Sequence, residues 1–314
     1  MSASLEGCLP MDLRGPATTI TRMDAGLSGA GVYRVDAAGR AFVLKVSGDG
    51  EPLADWRRKR GMQKLAADAG VAPRVFHVDE GERAVVSAFV VDRSIWSIYG
   101  DPRTRETAIA RMGRMVRRLH DLPLPHDATP NDPRGLLATL WSGLVTSFAL
   151  PAFVGDAVGR LLDEESPAVD RGLVLSHNDV NPTNLIYDGE SFLLLDWDTA
   201  GANEPFYDLA ALSVFLRMDD KACHELLAAY DGAPPAVLPE RFVYDRRLVA
   251  VLCSAMMLHL ARQSGYKGAT GGETLDSTPA LGELYQRLRS GALSAATGEG
   301  QWWFGLALVK ASRV

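Results

Sequence analysis

Cysteine is scarce in this 314-residue chain: three residues, Cys8, Cys223 and Cys253, spread far apart. An odd, scattered set excludes a disulfide framework and a zinc cluster. A basic excess is also missing. The formal net charge is -6, which argues against nucleic acid as a general partner, because phosphate backbones call for a basic surface. The opening "MSASLEGCLPMDLRGP" has neither a basic start nor an apolar core, so no secretion signal is expected. The longest apolar run, Leu248 to Ala261, is too short to cross a bilayer and contains His259; it reads as a buried helix. A cytoplasmic protein with no membrane partner is the expectation. The remaining histidines are scattered, and no pair has metal-ligand spacing.

What is present is an ordinary globular composition with ample apolar content for a large core or two lobes. The first ninety residues or so read as strands plus one helix. Val32 to Val46 is a hairpin turning at Asp36 to Gly39, and Pro73 to Val90 a second one turning at Asp79 to Glu82. Leu53 to Gly70 between them is helical and stops at a glycine. Helical patterns then dominate. Ile109, Met112, Val116 and Leu119 share one face of a helix, and further helices are expected over 205–217, 221–230, 240–262 and 280–289. The predicted organisation is a strand-rich lobe, residues 1–88, joined near Ser87 to Asp92 to a larger helical lobe, residues 89–314. The fold class is therefore α+β. Clefts between lobes are favoured ligand sites.

The chemistry concentrates in "LSHNDVNPTNLIYDGESFLLLDWD", Leu175 to Asp198. Apolar runs end at His177 and at Asp196, so two strands should deliver the loop and the second acid to the same end of a small sheet. Asp179, Asn184 and Asp196 supply what phosphoryl transfer needs: a carboxylate to orient a hydroxyl and take its proton, and hard oxygens for Mg²⁺. The same letters also make an ordinary polar turn, with Asn181-Pro182 and Asp188-Gly189 as turn signals.

"HNDVNPTN…LLLDWD" resembles the motif of the aminoglycoside phosphotransferase and choline kinase superfamily, relatives of protein kinases. The resemblance is strong over Leu175 to Leu212 and loose elsewhere. It implies a two-lobed, kinase-like fold and an ATP- and Mg²⁺-dependent transfer to the hydroxyl of a small molecule. Asp179 becomes the catalytic base, His177 a brace for its loop, and Asn184 and Asp196 metal ligands. Asp198 occupies a place where choline kinases carry another acid, which implies contact with a second metal through water. Asp208 matches an aspartate that holds the catalytic loop.

On the nucleotide side, Gly26, Gly29 and Gly31 precede a strand, where backbone amides can approach phosphate oxygens. Lys45 follows in the apolar "AFVLKV", an ammonium that needs an anionic partner. Backbone groups around Ser87 and Phe89 are expected to meet adenine. One part of the pattern is absent. Related kinases pair this lysine with a glutamate on the next helix, where this chain reads "WRRKRGMQKL"; Glu51 and Asp55 are the expected substitutes.

Three readings of the activity stay open. "LDWDTAGANEPFYDLA" is closer to bacterial choline and thiamine kinases, and Trp302 and Trp303 in "GQWWFGLALVKAS" could offer π-faces to a quaternary ammonium or simply dock a terminal helix. An aminoglycoside phosphotransferase would want several acids, for which Asp219, Asp220 and Glu225 are candidates. The missing glutamate also admits a non-catalytic nucleotide-binding protein.

Overall fold

The computed structural model describes residues 5–23, 30–168 and 171–313. Gly26 and Gly29 lie outside the described residues. The chain falls into two compact units. The first comprises Met1–Thr129, Leu173–Ala202 and Ala228–Gly232; the second comprises Pro130–Gly172, Asn203–Leu227 and Ala233–Val314.

In the first unit, strands β1 (Thr19–Arg22), β2 (Gly31–Ala37), β3 (Arg40–Val46), β4 (Val75–Asp79) and β5 (Ala84–Ala88) form one antiparallel sheet in the order β1-β2-β3-β5-β4. The β2–β3 hairpin closes on the pair Ala37 and Arg40, with Ala38 and Gly39 both at positive φ. That two-residue turn matches the right-handed twist of the strands it joins. Alternation then sorts the side chains. Val35, Phe42, Leu44, Ala84 and Val86 share one core with Cys8, Leu9 and Leu13. Lys45, one step beyond Leu44, is thereby turned to the opposite face.

Helix α1 (Leu53–Asp68) follows β3 and buries Trp56, Arg60, Met62 and Ala66. A short α2 (Trp96–Tyr99) leads into α3 (Arg105–His120), whose predicted face is wholly buried, with Ala108 and Met115 added to it. The stretch that carries the motif forms two ribbons, not one small sheet. Strand β6 (Val174–Ser176) pairs with β9 (Gly201–Asn203), and β7 (Leu185–Tyr187) with β8 (Phe192–Leu194). The expected common sheet fails because the chain reverses at Asp188 to Ser191 and pairs β8 with its neighbour β7, leaving β6 to pair with β9.

The second unit is helical: α4 (Pro133–Val145), α5 (Ala152–Asp163), α6 (Pro205–Phe215), α7 (Asp220–Asp231, whose last residues belong to the first unit), α8 (Glu240–Gln263), α9 (Leu281–Arg289) and α10 (Gly298–Ala311). Helix α8 is its axis, with α4, α6 and α10 packed on it. The run Leu248 to Ala261 is the middle of α8 and supplies Leu248, Val251, Leu252, Ala255 and Leu258 to the core. Gly305 brings α10 close to α8: a Cβ there would lie 2.8 Å from Leu258 Cγ. No helix among the described residues is long and apolar enough to cross a membrane.

Candidate active site

The site is assembled within the first unit by backbone register before any side chain acts. β7 and β8 pair Leu185 with Leu194, and the next rung is the Leu195 N–H donating to the Asn184 carbonyl at 2.8 Å. Asn184 is thus held opposite the residue just before Asp196. His177 ties a second segment to the same point. Its Nε2 lies 2.8 Å from the Leu195 carbonyl, and its Nδ1 accepts from the Asp179 N–H at 3.3 Å. With a carbonyl at one ring nitrogen and an N–H at the other, the imidazole braces the loop. Thr199 Oγ1 donates to the His177 carbonyl, and Asn178 Nδ2 to the Thr199 carbonyl. Two residues hold left-handed backbone, Asn178 at φ 65° and Asp196 at φ 58°. Short polar side chains tolerate that region best, and strain of this kind gathers at functional sites.

Asp179 sits in an amide clamp. Asn181 Nδ2 donates to its Oδ1 at 2.8 Å, and Asn184 Nδ2 to its Oδ2 at 2.7 Å. Each carboxylate oxygen therefore keeps lone-pair capacity for a further donor. Burial pushes the Asp179 carboxyl above the usual carboxylate range; Asp196 adds to this, and His177 and the two amides oppose it. With its NH₂ committed to Asp179, Asn184 is left with its carbonyl oxygen for another task. Asn181 appears in the sequence only as half of a turn signal; its role as the second clamp depends on the fold of the loop.

Lys45 enters the site from β3. Its Nζ donates to Asp196 Oδ1 at 2.8 Å and to Asp198 Oδ2 at 2.7 Å. The other Asp198 oxygen accepts from Arg60 Nη2 of α1, also at 2.8 Å. Burial works to raise the Asp198 carboxyl, yet Lys45 and Arg60 together hold it below the usual range. The expected stand-ins for the helix glutamate are committed elsewhere: Glu51 to Lys59 at 2.8 Å and Asp55 to Arg58. Arg60 is the site residue that sequence reading missed. The basic run is visible in the sequence, but which arginine turns inward is not.

Gly31 opens β2 beneath the Tyr33 ring, where a Cβ would come within 2.8 Å of ring carbon. Ser87 is paired in β5 with Val43 and Val75. The Phe89 N–H donates to the Ala41 carbonyl at 3.3 Å, and Arg34 covers the Phe89 ring at 4.6 Å. His120 is buried against Tyr230, with Nδ1 2.9 Å from its hydroxyl, which is a packing role.

Other expected residues belong to the second unit. Trp302 has no exposed surface; its ring meets Phe148 edge-on at 5.6 Å and Tyr266 at 5.2 Å, so as placed it has no face left for a substrate. Trp303 is half-buried at the rim of the same core. Asp208 is fully buried on α6. Asp219 caps the start of α7 by accepting from the Ala222 N–H, and Glu225 meets Lys221 at 3.4 Å.

Among the described residues no three of His, Cys, Asp and Glu converge as a metal cage. Asn184 and Asp196 nonetheless fit magnesium, which takes few protein oxygens and completes its shell with phosphate and water.

The family model described as the phosphotransferase enzyme family matches residues 19–244. Solved structures share the fold at low identity. A choline/ethanolamine kinase family protein from Mesorhizobium loti is 20% identical with a TM-score of 0.56, over 97% of this chain and 95% of that one. Choline kinase LicA from Streptococcus pneumoniae is 18% identical with a TM-score of 0.56, over 87% and 92%; LicA is also known in complex with AMP. An aminoglycoside-3'-phosphotransferase of type VIII is 22% identical with a TM-score of 0.56, over 76% and 94%. A search of curated proteins finds no match. The α+β fold is thus the two-lobed, protein-kinase-like one. With the family model covering well over half of its length, the chain belongs to the phosphotransferase enzyme family and is a small-molecule phosphotransferase with an alcohol group as acceptor.

Proposed function

We propose that the protein transfers the terminal phosphoryl group of ATP, with Mg²⁺, to the hydroxyl of a small amino alcohol of the choline type, in the cytosol. Residues 1–88 serve as the nucleotide-binding lobe and 89–314 as the catalytic and substrate-binding lobe. The observation that carries this reading is the clamp on Asp179. Both of its oxygens are fixed by amides, with no cation on either among the described residues, in the loop cluster that carries Asn184 and Asp196 and that Lys45 reaches from β3. Such a carboxylate can accept the acceptor hydroxyl's hydrogen bond and then its proton. Lys45 binds phosphate oxygens, and the Gly31 backbone approaches them. Asn184 and Asp196 are the residues that would hold Mg²⁺. When bound, the ion neutralises charge on the phosphate oxygens and polarises the transferring group. What the protein itself supplies is mainly orientation and a fixed electrostatic frame.

The choline-type acceptor is supported by the "LDWD" acid Asp198 and the "GANEPFYD" pattern. Trp303 retains surface to offer a cation, whereas Trp302 contributes packing. An aminoglycoside acceptor draws less support, since Asp219 is engaged in capping. ADP formation from ATP and Mg²⁺ with choline, ethanolamine, thiamine and kanamycin separates the readings. Turnover with an amino alcohol and none with kanamycin is expected. The reverse pattern would assign an antibiotic phosphotransferase, and nucleotide binding without turnover on any alcohol would assign a non-catalytic protein.

A further inference from the structure

Helix α1 brings a cation to the place where the family pattern brings a carboxylate. Arg60 is 4% exposed. It lies near the Trp56 ring at 5.9 Å, and its Nε has no partner among the described residues. Nη1 reaches Gln63 at 3.0 Å and Nη2 reaches Asp198 at 2.8 Å. Asp198 is the one carboxylate Arg60 meets among the described residues. Asp198 in turn spans two cations, one on each oxygen, and the second is Lys45.

Two consequences follow from elementary electrostatics. First, Arg60 is the buried member of the pair, with 3% of its side chain exposed against 37% for Asp198, and removing its carboxylate partner leaves the guanidinium desolvated and alone. Arg60 therefore holds Asp198 where it is. Second, an aspartate with both oxygens committed to cations is poorly suited to a metal shell. Asp196 shares Lys45 through Oδ1 only.

We propose that Arg60 and Asp198 replace the helix glutamate by a charge-inverted relay. Arg60 fixes Asp198, and Asp198 fixes the Lys45 ammonium, so that α1 positions the phosphate-binding lysine through a cation. Asp198 is a counter-ion in this scheme and not a metal ligand. Lys45 and Arg60 balance Asp196 and Asp198 one for one. Arg60 and Asp198 are positioning residues, and the assignment rests on the phosphotransferase reading of the same site.

The test compares Arg60→Gln, Asp198→Asn and the double variant in two measurements. Unfolding by urea without nucleotide or metal reads the pair alone. Each single variant is expected to lower the midpoint, and the double variant to lie well above the sum of the two losses, because neither charge is then stranded. Strict additivity would overturn the Arg60–Asp198 coupling. Calorimetry with a non-hydrolysable ATP analogue and varied Mg²⁺ reads the relay. Both single variants are expected to weaken nucleotide binding by a similar factor, about tenfold, the scale of one charge-assisted hydrogen bond, with Mg²⁺ half-saturation unchanged. Asp196→Asn is expected to shift the Mg²⁺ requirement itself. If Asp198→Asn raises the Mg²⁺ requirement while Arg60→Gln leaves nucleotide binding untouched, Asp198 is a metal ligand and the relay is wrong. Should either single variant not fold, the double variant carries the calorimetric comparison, with the same tenfold weakening expected and wild-type affinity overturning the relay. A wild-type protein that binds no nucleotide would sink the phosphotransferase reading and leave the unfolding cycle standing on its own.

Discussion

Asp179 owes its position to two asparagines that do different jobs. Asn181 only clamps, whereas Asn184 clamps with its NH₂ and keeps an oxygen for the proposed ion. Replacing the proposed base, Asp179→Ala, is expected to lower kcat by about three decades, near 4 kcal/mol of barrier, with the fold intact by circular dichroism. An unchanged kcat would mean that another group takes the proton. The asparagines then separate by metal dependence. Asn181→Ala should cost about tenfold in kcat, one ordinary orienting hydrogen bond, at an unaltered Mg²⁺ requirement. Asn184→Ala should depress kcat and also demand more Mg²⁺. Matching Mg²⁺ curves for the two variants would remove Asn184 from the metal site.

At the scale of elements, sequence period and stop signals carried most of the architecture. The α3 stripe, the long α8 and the β2–β3 hairpin form where their patterns put them, and the β4–β5 hairpin does so with a register shift between Val75 and His77. β1 escaped because four mostly exposed residues give no period to read. α4 and α5 had start signals, Asp132-Pro133 and Pro151, but two glycines interrupt each of them. In the candidate site, Asp179, Asn184, Asp196 and Lys45 were legible because their types and order are local facts. The Arg60–Asp198 contact was not, since 138 positions separate the partners and only tertiary packing selects one arginine from a basic run. The two tail tryptophans show the same limit on one helix: adjacent letters, one entirely enclosed and one at the rim. Trp302→Ala should therefore destabilise the protein by about 3–5 kcal/mol, read from denaturant midpoints. Trp303→Ala, with part of its ring already in solvent, should lose far less. Equal losses would place both rings in the core.

For the whole molecule, the acidic net charge does not report how a buried carboxylate answers to pH. Asp245 on α8 has no exposed surface and faces Arg241, with Arg241 Nε 3.0 and 3.1 Å from its two oxygens; Arg241 also meets Glu204 at 2.6 Å. Burial pushes the Asp245 carboxyl up to about 6 despite the arginine, and Glu204 adds to the rise. Burial also raises the Glu204 carboxyl, against the pull of Arg241. A raised carboxyl makes the folded state the better proton acceptor between the ordinary aspartate range and pH 6. Stability contributed by Asp245 is therefore gained as pH falls through 6 and lost as pH rises through it. Asp245→Asn removes this titration and leaves the other groups in place. The stability difference between wild type and Asp245→Asn should then be larger at pH 5 than at pH 7 by about 1 kcal/mol, the worth of roughly one pKa unit. Urea midpoints at the two pH values check it. Parallel pH profiles would mean that Arg241 keeps Asp245 ionised throughout, and that burial is not the dominant influence on this carboxylate.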